Sequence, residues 1–352
     1  MNDDFTLTQD SQAVLLLCGE LGKHVRDTAP LTLAQYNEFC LALNGQKKRP
    51  SDLLSLDEDL IEKVCATPSV NPRVKMPDKD RIVALLRRGL SLSSAVGRWG
   101  QCGIRVVSRA DGNYPLRIKE YLKGRAPALL YFSGNADLFG GKGMAFVGSR
   151  DIDAESEEAI RTVVRGCVDL GMTVVSGGAK GSDATAMHEA FARGGKVIGA
   201  LPCDLMKACL EPMNRDALAD GRALLFSAHD PEARPFSYGA VAMERNKYIY
   251  ATADGCFVAQ SGVGPKSGTW SGAAEELKRE NHHPVYVFLG KRPSPGCLDL
   301  QKRGAKAWDM EKSVAENLAK EAGMKTYVQD DLFGGFSAAE PVTPYERKGG
   351  TP

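Results

Sequence analysis

The sequence predicts an α/β fold in which a Rossmann-like, doubly wound and mostly parallel sheet follows an N-terminal helical domain. From Gly143 onward, short apolar runs alternate with stretches of helical periodicity, a pattern typical of a parallel sheet covered by helices. Before Trp99, apolar residues recur mainly at helical spacing. The chain has 352 residues, of which 43% are hydrophobic and 25% charged, so it is long enough for two or three ordinary domains.

The N-terminal part is predicted to be helical because its apolar residues recur every three or four positions. The predicted helices cover residues 12–21, 33–43, 53–65, 80–89 and 91–99. Asn44-Gly45 ends the second of them, as expected of residues that terminate helices. We therefore place an N-terminal helical domain at 1–98, a Rossmann-like domain at 99–309, and a C-terminal helix with a mostly disordered tail at 310–352.

The Rossmann-like part begins with a short bridge, in which strand 103–107, helix 116–122 and strand 128–132 are predicted. Six further strands are predicted at 144–147, 172–175, 196–201, 222–226, 255–259 and 284–289. Helices are predicted at 155–170, 182–193, 214–220, 240–250 and 270–280. A loop with an edge element at 294–309 and a last helix at 311–322 complete the prediction.

Composition excludes several classes of protein. The net charge of +1 excludes a bulk polycation but allows a local basic face. The nine cysteines are dispersed without a C-x-x-C pair, which predicts reduced thiols, a cytoplasmic location and no metal site. The acidic N-terminus does not resemble a signal peptide, and no run approaches the ~20 apolar residues of a membrane span. We expect no cofactor and no membrane partner.

Two glycine-rich turns follow predicted strands and carry the strongest functional signal. One is Gly148-Ser149-Arg150, and the other runs from Ser176 to Asp183 as SGGAKGSD. Parallel strands end at a common sheet edge, which is where doubly wound folds bind ligands. Glycine lets the backbone approach a phosphate, and amides at a helix start attract anions. Together with the cations of these turns, the pattern predicts a phosphate-binding site, although either turn alone could be purely structural.

Neither turn has the sequence of a common nucleotide-binding loop. The chain lacks a G-x-x-x-x-G-K-[ST] run, which excludes a Walker loop, and it lacks a G-x-G-x-x-G at a strand end, which excludes the ordinary dinucleotide fingerprint.

An ordered set of motifs between Trp99 and Trp308 carries a family resemblance. The motifs are DGNYPL (111–116), VGSR (147–150), SGGAKGSD (176–183), AMHEA (186–190), PMN (212–214), RNK (245–247) and SGT (267–269). In them the chain resembles the DNA-processing protein A family (DprA, also called Smf). Glu211 stands where that family has tyrosine before P-x-N, and no C-terminal winged-helix module is evident, so the chain is identified as a divergent member.

The resemblance implies a single-stranded DNA-binding protein that protects DNA and assists the loading of a RecA-type recombinase in natural transformation and recombination. It also implies a homodimer and a binding protein without catalytic residues. The residues predicted to bind DNA or phosphate are Gly148, Ser149, Arg150, Ser176, Gly177, Gly178, Lys180, Gly181, Arg245, Asn246, Lys247, Lys266, Ser267, Gly268 and Thr269.

Several of these side chains have a second interpretation. Arg245 either extends a basic face or anchors a carboxylate in the core. Asp183, the last residue of SGGAKGSD, lies in the first turn of the predicted helix and is expected to cap that helix and not to act in catalysis. Four aromatic residues near the site could stack on bases or belong to the core: Tyr238, Tyr248, Tyr250 and Trp270. For Tyr248, packing in the core is the preferred interpretation.

Two alternative functions use the same anion pocket. One is a nucleotide-binding sensor, and the other is an enzyme similar to the nucleotide phosphoribohydrolases that carry P-G-G-x-G-T-x-x-E. In this chain Gly272 stands in place of the catalytic glutamate, and Glu275 and Glu276 follow it. A shift of one helical turn moves a carboxylate by ~5 Å. That displacement is too large for proton transfer, which needs hydrogen-bond reach, so the hydrolase is the weaker hypothesis.

Overall fold

The computed structural model describes residues 7–21, 28–232 and 238–319. The helices are α1 (Gln9–Cys18), α2 (Leu33–Gly45), α3 (Glu58–Ala66), α4 (Lys79–Leu86), α5 (Gly89–Gln101), α6 (Leu116–Leu122), α7 (Ala154–Asp169), α8 (Ser182–Ala192), α9 (Leu205–Leu210), α10 (Pro212–Ala219), α11 (Tyr238–Ala251), α12 (Gly268–Leu277), α13 (Pro295–Lys302) and α14 (Val314–Leu318). The strands are β1 (Arg105–Ser108), β2 (Leu129–Gly134), β3 (Gly143–Val147), β4 (Thr173–Ser176), β5 (Val197–Ala200), β6 (Ala223–Ser227), β7 (Gly255–Val258), β8 (Val285–Val287) and β9 (Lys306–Ala307).

The strands form one sheet in the order β1-β2-β6-β5-β4-β3-β7-β8-β9. From β6 to β9 all neighbours are parallel, whereas β2 joins β6, and β1 joins β2, in antiparallel fashion. Chain order runs from β3 toward β6 on one side and resumes with β7 on the other. The predicted doubly wound fold is thereby confirmed, and its topological switch point lies between β3 and β7, where such folds open a crevice.

The sheet is buried on both faces, which explains its continuous apolar strands. Every residue of β3, β4, β5, β6 and β7 is buried. The rings of Phe146 and Phe257 lie 5.9 Å apart on adjacent strands. Helices α1–α5, α7, α8, α9 and α14 contribute to the core on one face, and α6, α11, α12 and α13 contribute to the core on the other.

Helix α7 shows how the local sequence produces these layers. Its N-cap Asp153 accepts a hydrogen bond from the Ser156 amide at 2.7 Å, which satisfies one of the unpaired donors of the first turn. Its buried residues recur at helical spacing and comprise Ser156, Ala159, Ile160, Val163, Val164 and Cys167. The predicted helix at 155–170 is therefore confirmed to within one residue at each end.

The N-terminal helices share a continuous hydrophobic core with the sheet. Trp99, at the end of α5, has no exposed surface, and its ring meets that of Tyr131 on β2 edge to face with centroids 5.2 Å apart. The Ser108 amide on β1 donates to Ser11 Oγ on α1 at 2.9 Å. The division of the chain into domains at residue 98 stays a prediction, because these contacts join the two parts closely.

Four elements differ from the sequence-based expectation. One is helix α13, which lies in the stretch 294–309 that we predicted to be a loop with an edge element; its N-cap Ser294 and Pro295 start a helix there. The predicted helix at 53–65 is a 3-10 segment (Pro50–Ser55) followed by α3, and Leu56 separates them with a left-handed φ of 56°. Helix α9 lies in a segment that we expected to be a loop. The predicted final helix at 311–322 is α14, and its expected end and the predicted disordered tail lie outside the described residues.

None of the helices in the described ranges combines the length and the apolar character required to cross a membrane.

Candidate functional site

Three loops lie side by side at the carboxyl edge of the sheet because β4, β3 and β7 are adjacent and parallel. We call them the β3 loop (148–153), the β4 loop (177–181) and the β7 loop (259–267). The Ser149 amide of the β3 loop donates to Gln260 O at 2.9 Å, and the Ser182 amide after the β4 loop donates to Ser149 O at 3.1 Å. The structure therefore brings the two predicted glycine-rich turns together and joins them by hydrogen bonds.

Each loop carries one exposed cation, namely Arg150, Lys180 and Lys266. Gly148 and Ser149, which precede Arg150, are half-buried, and the two residues after Lys266, Ser267 and Gly268, are also half-buried. Exposed positive charge is thus present on all three loops at the edge where doubly wound folds bind ligands.

Gly181 makes the contact between the β3 and β4 loops possible. Its φ is +77°, and a Cβ built on it would lie 2.5 Å from Ser149 O and 2.4 Å from Arg150 O. Any side chain at this position would strain the backbone and push the loops apart.

The β4 loop offers several amides to a ligand. Among the described residues, the amides of Gly178, Lys180 and Gly181 donate to no acceptor. Successive amides next to a helix start form a concave site that favours anions. This part of the predicted phosphate site is geometrically able to bind a phosphate, with the Lys180 ammonium beside it.

Ser176, in contrast, is a structural residue. Its side chain is buried, and its hydroxyl donates to Phe146 O at 2.7 Å. This hydroxyl ties β4 to β3 from within the sheet, and the expected contact of Ser176 with a ligand phosphate stays a prediction.

The structure also corrects the interpretation of Arg245 as part of an exposed basic face. The Arg245 side chain is 6% exposed, and its Nη1 lies 3.6 Å from Asp183 Oδ2. Asp183 Oδ2 in turn accepts hydrogen bonds from the amides of Gly177 at 3.1 Å and Ala179 at 3.4 Å. The alternative interpretation of Arg245, an anchor for a buried carboxylate, is the one seen in the structure.

Burial shifts the pKa of Asp183. Removal from water raises the pKa of this carboxyl above its ordinary value, and the Arg245 guanidinium and the two loop amides oppose that rise. Asp183 therefore closes the β4 loop by accepting from its amides. This differs from the predicted role as a helix cap, because the N-cap residue of α8 is Gly181 and no side chain caps it.

The two residues after Arg245 do not extend a basic face either. Asn246 Nδ2 donates to Gly268 O at 3.1 Å and so holds the start of α12. Lys247 Nζ lies 2.9 Å from Glu244 Oε1, which neutralises its charge locally. Their polar groups are engaged within the protein, and the expected phosphate contacts of Asn246 and Lys247 stay a prediction.

The β7 loop ends in a capped helix. Ser267 Oγ accepts from the Trp270 amide at 3.3 Å and lies 3.4 Å from Ser261 Oγ, so Ser267 caps α12. Gly268 and Thr269 form the first turn of that helix. Lys266 is the exposed cation of this region that remains available at the edge.

The aromatic candidates belong mainly to the core. Tyr248 and Tyr250 are each 3% exposed, which confirms the packing role preferred for Tyr248. Trp270 Nε1 donates to Asp299 Oδ2 at 2.8 Å, and the Arg303 guanidinium lies over its ring at 4.8 Å. The Tyr238 side chain lies outside the described residues.

Sequence reasoning missed two exposed apolar side chains near the β7 loop. Met243 is 48% exposed and Val263 is 53% exposed. Met243 Cγ lies 3.7 Å from a Cβ built on Gly268, so it flanks the start of α12. Isolated apolar residues of this kind give no periodic signal in a sequence, and only the fold shows that they adjoin the cationic edge.

A cleft of about 230 Å³ opens beside these loops, at the carboxyl ends of β7 and β8. Its lining includes the carboxylates of Asp153 and Glu155, the guanidinium of Arg292 and the ring of Phe288. The lining residues are Asp153, Glu155, Ser156, Ala259, Gln260, Phe288, Gly290, Arg292, Pro293, Ser294 and Pro295. Because the lining comes from several separate segments, the sequence did not predict it. Within the described ranges, no cluster of three or more His, Cys, Asp or Glu residues could hold a metal ion.

Comparison with known proteins identifies the family. Residues 105–319, more than half of the chain, match the family model described as DNA recombination-mediator protein A. The chain belongs to this family. The DNA processing protein DprA of Streptococcus pneumoniae (strain ATCC BAA-255 / R6) is 31% identical over 202 residues, which are 56% of this chain and 68% of that protein.

Solved structures of DprA share the fold. The X-ray structure of DprA from Streptococcus pneumoniae superposes with a TM-score of 0.64 at 21% identity and covers 89% of this chain and 98% of that one. DprA from Helicobacter pylori, described with its single-stranded DNA binding mode, gives a TM-score of 0.50 at 22% identity over 62% of this chain and 96% of that one. The predicted DprA resemblance is confirmed.

Proposed function

We propose that this DprA-family protein binds single-stranded DNA along the cationic edge formed by the β3, β4 and β7 loops, and mediates recombination. One observation carries the proposal. The hydrogen-bonded β3 and β4 loops, at the carboxyl edge of the sheet, present the exposed Arg150 and Lys180 together with open backbone amides. Membership in the recombination-mediator family and the DNA-binding description of the Helicobacter pylori relative support the same choice of ligand.

The chemistry of the edge favours a single strand. Proteins that bind single strands without sequence preference combine a cationic track for the phosphates with apolar surface for the bases. Here Arg150, Lys180 and Lys266 supply the charge, and Met243 and Val263 supply exposed apolar surface. Aliphatic contacts hold bases without reading their edges, so binding is tolerant of sequence.

The wider role follows the family. We propose that the protein protects single-stranded DNA in the cytoplasm and assists a RecA-type recombinase, and that it works as a homodimer. We also propose that residues 1–98 form a helical domain that accompanies the DNA-binding sheet.

The test is fluorescence anisotropy with labelled oligo-dT and a matched duplex at about 50 mM and about 200 mM salt. Wild type is compared with Arg150→Ala combined with Lys180→Ala. We expect preferential single-strand binding that weakens with salt, and a slope of log K against log salt that falls by about 1.4 in the double variant, since each lost phosphate contact contributes about 0.7.

The matched control removes two exposed cations outside the three loops, Lys119→Ala in α6 with Lys278→Ala at the C-cap of α12. It loses the same net charge and should retain the wild-type slope. Equal losses in the two double variants would show a diffuse charge effect and contradict the proposed edge. Absence of binding by the wild type would favour the nucleotide-binding sensor.

The contacts of the two candidate acids support a binding protein over the phosphoribohydrolase alternative. Glu276 is 1% exposed and accepts hydrogen bonds from the Tyr121 hydroxyl and the His283 amide. Glu275 is paired with Arg125 at 3.3 Å. Both lie in the second half of α12, and their partners hold them away from the loops at its start.

A further inference from the structure

We infer that Asp183 and Arg245 are positioning residues for DNA binding. The buried pair shapes the β4 loop, and neither residue contacts the bound DNA. The inference rests on the proposed function and deepens it. It assigns to Arg245, which lies in the RNK motif (245–247), a role on the buried side of the β4 loop and not on the DNA-binding surface.

The first observation is the convergence of contacts on one carboxylate oxygen. Asp183 Oδ2 accepts from the amides of Gly177 and Ala179, at 3.1 and 3.4 Å, and lies 3.6 Å from Arg245 Nη1. A single oxygen therefore connects the start of α8, the β4 loop and α11. The loop shape depends on this oxygen carrying a negative charge, because charged acceptors bind amides more strongly than neutral ones do.

The second observation is the position of the guanidinium. A Cβ built on Gly177 would lie 0.9 Å from Arg245 Nη1 and 2.0 Å from its Cζ. The guanidinium therefore occupies the volume that a side chain at 177 would fill, on the inner side of the β4 loop. Lys180 of the same loop is exposed, so the loop has a buried side closed by Arg245 and an outer side that carries Lys180.

The third observation is electrostatic. A buried carboxylate beneath a phosphate site repels the ligand and is costly to ionise. Arg245 supplies the compensating charge, and its side chain and that of Asp183 are only 6% and 7% exposed. Without Arg245 the carboxyl would favour its neutral form, and its hold on the Gly177 and Ala179 amides would weaken.

The direction in which one substitution changes the DNA affinity distinguishes this role from direct charge effects. Removing a negative charge near bound phosphates strengthens binding if only long-range electrostatics matters. Asp183→Asn should instead weaken binding, because an amide group accepts less strongly from the loop amides and does not attract the guanidinium. Asp151→Asn is the matched comparison, since Asp151 is exposed beside Arg150 in the β3 loop and the loss of its charge should tighten binding.

The experiment measures oligo-dT affinity by anisotropy for the full chain and for Asp183→Asn, Arg245→Gln, Lys180→Ala and the double variant Lys180→Ala with Arg245→Gln. We expect Asp183→Asn to bind about tenfold more weakly, equivalent to about 1.4 kcal/mol. Arg245→Gln should add less than about twofold to the loss caused by Lys180→Ala, because both act through the same loop.

Two affinity results would overturn the inference. One is binding by Asp183→Asn that equals or exceeds that of the wild type. The other is full additivity in the double variant with a further fall of about 0.7 in the salt slope, which is the signature of a direct phosphate contact. Asp183→Asn changes neither size nor shape, so it provides the test even if Arg245→Gln does not fold.

Hydrogen–deuterium exchange tests the same inference without DNA. Peptides covering 172–187 should exchange faster in Asp183→Asn than in the wild type, with the change confined to the β4 loop and the start of α8. Unchanged exchange overturns the positioning role. Failure of the wild type to bind DNA, with faster exchange in the variant, overturns the proposed function and leaves the positioning role supported.

Discussion

The five predicted basic site residues of this protein differ in exposure and in their partners. Arg150, Lys180 and Lys266 are exposed at the sheet edge, whereas Arg245 is buried against Asp183 and Lys247 is neutralised by Glu244. The exposed cations can exchange counterions for phosphates, and the buried one cannot. Lys180 and Arg245, which look equivalent as motif cations in the sequence, therefore lie on opposite sides of the β4 loop.

A second buried carboxylate makes stability depend on pH. Burial raises the pKa of Asp230 to about 6, and the charges of Glu20 and Glu232 add to the rise. The folded state therefore takes up a proton at higher pH than the unfolded state does. The resulting stabilisation is complete below the unfolded pKa of about 3.9 and is lost as the pH rises through about 6.

We expect the wild type to gain about 1.4 kcal/mol relative to Asp230→Asn when the pH is lowered from about 7.5 to about 5. Urea unfolding of the two proteins at both pH values measures the difference, and the comparison cancels titrations that they share. Stability curves that stay parallel between these pH values would contradict the assigned pKa.

The exposed part of the site could be predicted from residue types, but the buried part could not. Glycine, serine and a cation after a strand indicate an anion site whatever the exact packing, and Arg150 and Lys180 lie accordingly. Whether Arg245 points to solvent or to a carboxylate depends on the packing of α11 against the loop, to which Gly177 contributes by lacking a side chain. That packing has no local sequence signal.

At the scale of secondary-structure elements, the β3 and β4 loops behave as one unit. The Ser182 amide and hydroxyl both donate to Ser149 O, at 3.1 and 3.2 Å, and Gly181 packs against the carbonyl oxygens of Ser149 and Arg150. A ligand that engages one loop therefore meets a surface whose shape depends on the other.

Gly181→Ala should separate the two loops. Its positive φ and the close carbonyl oxygens make alanine unfavourable, so we expect a loss of stability of about 1–3 kcal/mol and at least about tenfold weaker binding of oligo-dT. Thermal unfolding and anisotropy measure the two effects.

Gly171→Ala is the control for Gly181→Ala, because Gly171 has a φ of +70° and no atom within 4 Å of a Cβ built on it. It should cost about 1–2 kcal/mol from the left-handed backbone alone and leave DNA affinity unchanged. Equal binding by the two alanine variants would show that contact between the loops is unimportant.

Long amphipathic elements were predictable, and short ones were not. The periodic apolar residues of α7 and the continuous apolar run of β7 identify both elements. Helix α9 has only six residues, too few to show a period. The turn at Leu56 divides a run that reads as one helix, because a left-handed leucine leaves no mark in the sequence and depends on tertiary contacts.

At the scale of the whole molecule, one hydrophobic core joins the N-terminal helices to the sheet. Leu17 of α1, Trp99 of α5 and Tyr131 of β2 belong to the same buried cluster, and each is at most 2% exposed. Removal of the helices would leave this face of β2 uncovered. The helical part thus contributes to the stability of the sheet that carries the proposed DNA-binding edge.

Urea unfolding should therefore be a single transition, with far-ultraviolet circular dichroism and tryptophan fluorescence changing together. Leu17→Ala should lower the free energy of unfolding by about 2–5 kcal/mol and shift both signals equally, because it opens a cavity in the shared core. If the variant moves only part of the circular dichroism transition to lower urea concentration, the helices unfold independently of the sheet.

The contact between Arg245 and Gly177 also restricts the paths that sequence change can follow. The guanidinium fills the volume of a side chain at 177, so a replacement there requires the arginine side chain to move. Replacing the arginine first leaves Asp183 buried without its counter-ion. A substitution at one of these three positions therefore requires an adjustment at another, so we expect residues 177, 183 and 245 to change together during evolution.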